Sequence, residues 1–123
     1  MVILDANAIL RYILHDNEAQ AGEVIILLER TRCLAATEVL AEVIYVLGKV
    51  YKTPRAKIVE AVQVFLNEEN ISSMQSTIIA QAMESYASTN LDFVDCVLSG
   101  YQMQGYSIFT FDKKLQSYLN KLS

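Results

Sequence analysis

The sequence predicts an α/β fold, a parallel sheet covered by helices on both faces, and three observations carry that prediction. Short apolar runs (Val2-Ile3-Leu4, Cys33-Leu34-Ala35-Ala36, Ser107 to Thr110) alternate with longer stretches of helical periodicity. The first run halts at Asp5 and passes at once into Ala-Asn-Ala-Ile-Leu, a strong helix starter. Finally, 123 residues with 53% hydrophobic content are enough for one domain with a substantial core, spanning residues 1–123, and leave no room for a second.

Taken in order, the elements follow from spacing. The strand Val2 to Leu4 is expected to be central in the sheet, with Asp5 at its carboxyl end. A helix from about Ala6 to Leu14 places Ala6, Ile9, Leu10 and Ile13 on one face, and His15-Asp16-Asn17 breaks it. Glu18 to Arg30 is an amphipathic helix through Ala21, Val24, Ile25 and Leu28, with Arg30 near the end where the dipole favours cations. Cys33 to Ala36 forms a second strand. Thr37 is the expected N-cap of a helix whose Val39, Leu40, Val43, Ile44 and Leu47 make a broad apolar surface. Thr53 and Pro54 are expected as N-cap and first residue of the next helix, which runs to about Leu66. A short connection or weak strand lies around Ile71, and a helix covers Ser76 to Ser88. Another helix begins at Leu91 and runs to about Gln104, ended by Gly105. A strand over Ser107 to Thr110 and a helix carrying Leu115, Tyr118 and Leu119 complete the chain.

Bulk properties exclude several classes of protein. A formal charge of −4 does not predict tight, sequence-independent binding to nucleic acid, so a phosphate-bearing partner needs local cations. Cys33 and Cys96 sit in apolar surroundings, as buried side chains in a reducing compartment do. Asp5 and Asn7 interrupt the first apolar run before it reaches the length of a secretory signal, and no run approaches the roughly 20 residues of a membrane span. A cytoplasmic location is therefore expected.

The chemistry lies in the acids. Asp5 follows the first strand, Glu42 sits inside a helix beside a buried stripe, Asp95 falls in a first helical turn, and Asp112 follows the last strand. Each has a bland reading. Asp5 and Asp92 fit helix N-caps, Asp95 fits dipole compensation, Glu38 and Glu42 fit a solvent face, and Asp112 fits the start of a turn. Jointly they ask for more, because two carboxylates about 4 Å apart repel by roughly 4 kcal/mol at an effective dielectric near 20. A hard divalent cation resolves that repulsion, and oxygen ligands without a His or Cys cluster select Mg²⁺ or Mn²⁺.

Leu4-Asp5-Ala6-Asn7 with Ile9-Leu10-Arg11, then Thr37-x-x-Leu40-Ala41-Glu42-Val43-x-Tyr45-x-Leu47, then Leu91-Asp92-Phe93-x-Asp95, then Thr110-Phe111-Asp112-Lys113, resembles the PIN domain family in order and spacing. The resemblance spans nearly the whole chain and is closest to the toxins of VapBC-type toxin-antitoxin pairs, the VapC-type toxins. It implies a three-layer α/β/α sandwich with a short parallel sheet. It further implies a catalytic, metal-binding pocket of Asp5, Glu42, Asp95 and Asp112, with Asn7 and Thr110 as polar support and Asp92 as an auxiliary acid.

The implied activity is Mg²⁺- or Mn²⁺-dependent endoribonucleolytic hydrolysis that leaves a 5′-phosphate and a 3′-hydroxyl. Arg11, Lys113 and Lys114 are the cations nearest the implied pocket and the candidates for RNA phosphates. Lys49, Lys52, Arg55 and Lys57 form a second basic segment, read equally well as a solvated helix end. Tyr45, Tyr51 and Tyr101 are candidates for base stacking, though their helical spacing beside aliphatics is the commoner mark of core residues. Toxins of this type dimerise and are silenced by an antitoxin, so the implied partners are RNA, an antitoxin protein and a second copy of the chain. The apolar excess over Ala21 to Leu28 and Val39 to Val50 is compatible with an antitoxin groove, and a buried core accounts for the same residues.

Two other readings compete. An Asp-nucleophile phosphatase or receiver shares the strand-then-acid layout, but Asp5-Ala6-Asn7 lacks the second acid two residues on. A non-catalytic scaffold that binds partners would have no need of all four acids.

Overall fold

A computed structural model describes residues 1–123. The chain divides into two compact units, residues 1–74 and 75–123. Together they hold a parallel sheet of three strands and seven helices, the α/β class expected.

The first unit contains β1 (Val2–Ile3), α1 (Ala6–Leu14), α2 (Glu18–Arg30), β2 (Cys33–Ala35), α3 (Thr37–Lys49), α4 (Arg55–Leu66) and β3 (Ile71–Ser73). The strands run parallel in the order β1-β2-β3, with Val2 opposite Cys33 and Cys33 opposite Ile71. The middle strand of this sheet is therefore β2, whose Cys33 and Ala35 are fully buried, and not β1 as expected. Val2 and Ile3 are exposed while Leu4, just past the strand, is buried and donates its N–H to the Leu34 carbonyl. The core forms where α1 packs on α2 and α3, and α3 on α4, through Ile9, Leu40, Val43, Ile44, Ile58 and Phe65.

Helix boundaries depart from expectation by one or two residues, each for a local reason. Ala36 occupies the cap of α3 without a side-chain bond, so Thr37 is already helical. Pro54 is itself the extended residue before α4, not its first turn. The break at His15 is realised: its backbone is left-handed (φ 53°), its N–H caps the Arg11 carbonyl, and Asn17 then accepts from the Gln20 amide to start α2.

The second unit consists of α5 (Ser76–Ser88), α6 (Phe93–Met103) and α7 (Lys113–Leu122). The α5 and α6 helices meet closely because Gly100 has no side chain; a Cβ there would stand 3.0 Å from both the Ile78 carbonyl oxygen and its Cγ2. Three hydroxyls knit the unit. Ser85 Oγ lies 2.8 Å from the Tyr118 hydroxyl of α7 and 3.4 Å from Ser99 Oγ of α6, which itself donates to the Cys96 carbonyl at 2.6 Å. Buried hydroxyls are tolerated when they bond one another. Gly105 follows α6 with φ 103°, a conformation that favours glycine. The expected strand over Ser107 to Thr110 is not formed: those residues pair with no strand, and Phe109 and Phe111 are exposed with their rings edge-on at 5.3 Å. Cys33 and Cys96 are buried thiols, as expected.

Candidate active site

In the first unit, Asp5 stands at the junction between β1 and α1. Its extended backbone and its Oδ1, which accepts the Ala8 amide at 2.8 Å, make it the N-cap of α1. Capping and metal binding are compatible, since an ionised carboxylate has two oxygens and the cap engages one. Asn7 is exposed in the first turn of the same helix. Glu42 lies on the outer side of α3 and is exposed, not bordering a desolvated stripe as expected; the buried stripe runs through Leu40, Val43, Ile44 and Leu47. Arg11 is drawn into an ion pair with Asp16 at 2.8 Å, so its guanidinium already has an anionic partner.

In the second unit the acids cluster. Asp92 caps α6 by accepting the Asp95 amide at 2.9 Å, which moves the helix start from Leu91 to Phe93. Asp112 caps α7 by accepting the Leu115 amide at 2.9 Å, and its own N–H donates to Thr110 Oγ1 at 3.1 Å. Thr110 thus supports Asp112 directly. Asp95 is partly buried, and burial, followed by the charges of Asp92 and Asp112 and a hydrogen bond with Asp92, raises its pKa from the ordinary value of an aspartate; Lys114 pulls the other way. Sequence reasoning missed this second role of Lys114. Its Nζ donates to the Asn90 carbonyl at 3.1 Å, which places the ammonium in front of α6, and no local pattern links positions so far apart. Lys113 is exposed and forms no ion pair.

In neither unit do three Asp, Glu, His or Cys side chains come together where they could hold a metal ion. The donor set still fits Mg²⁺ or Mn²⁺. These ions take one or two carboxylates and keep several waters, and they prefer oxygen. Asp95 supplies the observation: its carboxyl is raised first by burial and then by the charges of Asp92 and Asp112, and a cation would relieve the repulsive part.

A separate groove of about 890 Å³ opens in the first unit between α1, α2 and α4. Ile25, Leu28 and Val64 contribute apolar surface, and Glu29, Glu60 and Glu68 contribute acids. No residue of α3 lines it.

An acid capping a helix at a strand end, as Asp5 does, stands where parallel α/β proteins place ligand-binding groups. Comparison with known families makes the assignment specific: the PIN domain model matches residues 2–119, and the chain belongs to that family. PIN domains are typically nucleases, bind nucleic acid and generally use divalent metals. No curated protein and no solved structure matches the chain. No helix is long and apolar enough to cross a membrane.

Proposed function

We propose that this protein is a metal-dependent endoribonuclease, the VapC-type toxin of a toxin-antitoxin pair, working as a single domain in the cytoplasm. The observation that carries the reading is the grouping of Asp92, Asp95 and Asp112 in a protein whose PIN match runs across both units. Asp5, Glu42, Asp95 and Asp112 would hold Mg²⁺ or Mn²⁺, with Asn7, Thr110 and Asp92 as auxiliaries. Held there, such an ion would supply Lewis-acid chemistry, activating a water and offsetting charge on the leaving oxygen of the phosphodiester.

The chain's own residues set up this chemistry. Backbone amides at three helix starts fix one oxygen each of Asp5, Asp92 and Asp112, so these carboxylates lose little further freedom on binding a cation. Thr110 orients Asp112 through the backbone. Lys114 tempers the negative charge around Asp95, and with Lys113 and Arg11 it offers cations for RNA phosphates. A homodimer and an antitoxin are the proposed protein partners. The apolar, acid-bearing groove of the first unit suits an amphipathic antitoxin segment carrying cations.

The test is incubation of the purified protein with total RNA in Mg²⁺, Mn²⁺ or EDTA, beside Asp5→Asn and Asp95→Asn, with new ends mapped by sequencing. Discrete metal-dependent cuts bearing 5′-phosphates, absent in both variants, are expected. Failure to cut RNA or to bind either ion would replace the nuclease by a non-catalytic scaffold. Growth arrest on induction, relieved by the product of a neighbouring small reading frame, tests the toxin role.

A further inference from the structure

The outer side of α3 carries a stripe that neither the core nor any polar contact accounts for. Glu42, Tyr45 and Lys49 are all exposed. At 100° and 1.5 Å per residue, positions 42, 45 and 49 lie within about 60° of one another around the helix and span roughly 10 Å along it. Glu42 and Lys49 form no ion pair.

Tyr45 stands apart from the other six tyrosines. The hydroxyls of Tyr12, Tyr51, Tyr101 and Tyr118 are hydrogen-bonded, Tyr86 is buried against Phe93, and Tyr106 packs edge-on against Tyr101. Tyr45 has no hydrogen bond and no ring contact, and it is 63% exposed. An exposed helical tyrosine adds nothing to helix stability, for its propensity is below that of Ala, Lys or Glu. A large flat ring held in water on a rigid helix is a stacking platform for an unpaired base.

We propose that Tyr45 is a specificity-determining residue that stacks on an unpaired base of single-stranded RNA, one helical turn from Glu42 and one from Lys49. The inference rests on the nuclease reading above and deepens it by naming a residue that reads one unpaired base. With Glu42 among the proposed metal ligands, a base on Tyr45 would lie one helical turn from that carboxylate, and Lys49 would meet a phosphate further along the strand. A duplex keeps its bases stacked internally and offers Tyr45 none.

Wild-type protein, Tyr45→Phe and Tyr45→Leu are compared by fluorescence anisotropy, in EDTA, on a mixed-sequence single-stranded RNA and the matching duplex. Cut sites are then mapped in Mg²⁺, and oligomeric state is read by size-exclusion chromatography. Leu keeps bulk and helix propensity without the ring, so circular dichroism should be unchanged.

The expected result is a single-strand affinity about tenfold or more weaker for Tyr45→Leu, little change for Tyr45→Phe or on the duplex, and loss of base preference at one position beside the cut. Equal binding and an identical cut map for Tyr45→Leu would overturn the role of Tyr45 and leave the nuclease intact. A change of oligomeric state with unchanged RNA affinity would likewise overturn it, assigning the face to a second copy of the chain. Wild-type protein that neither binds nor cuts RNA removes the nuclease reading and this inference with it.

Discussion

Asp92 and Asp95 are joined by a hydrogen bond that serves two purposes: the Asp92 carboxylate accepts the Asp95 amide at 2.9 Å, starting α6, and the same proximity puts two negative charges side by side. Burial is the largest cause of the raised Asp95 pKa, with Asp92 and Asp112 next. A carboxyl whose folded pKa exceeds its unfolded value contributes stability that is present below the unfolded pKa and lost as pH rises through the folded one. At neutral pH an ionised Asp95 is therefore a cost to folding. Asp95→Asn should raise the melting temperature at pH 7, and by less at pH 4. Millimolar Mg²⁺ should raise it for the wild type and much less for the variant. A thermal-shift series across pH and Mg²⁺ checks both statements.

Asp112 combines a cap with a proposed metal ligand, and two substitutions separate the roles. Asp112→Ala removes both and should cost about 1 kcal/mol of stability. Asp112→Ser keeps an oxygen to accept the Leu115 amide, so stability should stay within a few tenths of a kcal/mol of wild type. Both should lower RNA cleavage on the order of a hundredfold, as removal of a positioned charge does. Urea unfolding beside single-turnover cleavage measures the two effects.

The Tyr12 hydroxyl donates to Glu68 Oε1 at 2.5 Å, and burial together with that neighbouring carboxylate pushes its pKa up to about 12. Since the unfolded phenol ionises near 10, its contribution to stability is complete below pH 10 and disappears between about pH 10 and 12. Tyr12→Phe should lose stability at pH 8 and show a shallower further loss above pH 10. Denaturant midpoints measured at half-unit pH steps check the sign.

Gly100 lets α6 approach α5, and Gly100→Ala should destabilise by about 1–3 kcal/mol because the added methyl meets a backbone carbonyl, which cannot yield as a side chain can. Tyr118→Phe, which removes one hydroxyl from the Ser85–Ser99 group, should cost about 1 kcal/mol. Calorimetric unfolding of both variants is the measurement.

Much of the fold was legible because it is local. The periodicity of Leu40, Val43, Ile44 and Leu47 depends only on the helical repeat, and each is buried where α3 was expected. The N-cap readings of Asp5 and Asp92 depend on four consecutive residues, and both caps formed; Asp112, read as the start of a turn, caps α7 in the same way. Errors arose where a partner decides. An apolar run such as Ser107 to Thr110 has strand composition, but a strand exists only when another backbone pairs with it, and here none does. Glu42 was read as bordering the buried stripe from its apolar neighbours in sequence, whereas the helix turns it outward, as the solvent-face alternative had it.

By itself the sequence determined the helical and apolar periodicities, the Asp5 and Asp92 caps and the ordered acids on which the resemblance to the PIN family rests. All of these are properties of a few neighbouring residues or of their order along the chain. Only the tertiary structure decided the strand order, the neighbours that raise Asp95, the second role of Lys114 and the isolation of Tyr45 in water. These depend on which distant segments fold together, and burial and charge act through space without regard to distance along the chain.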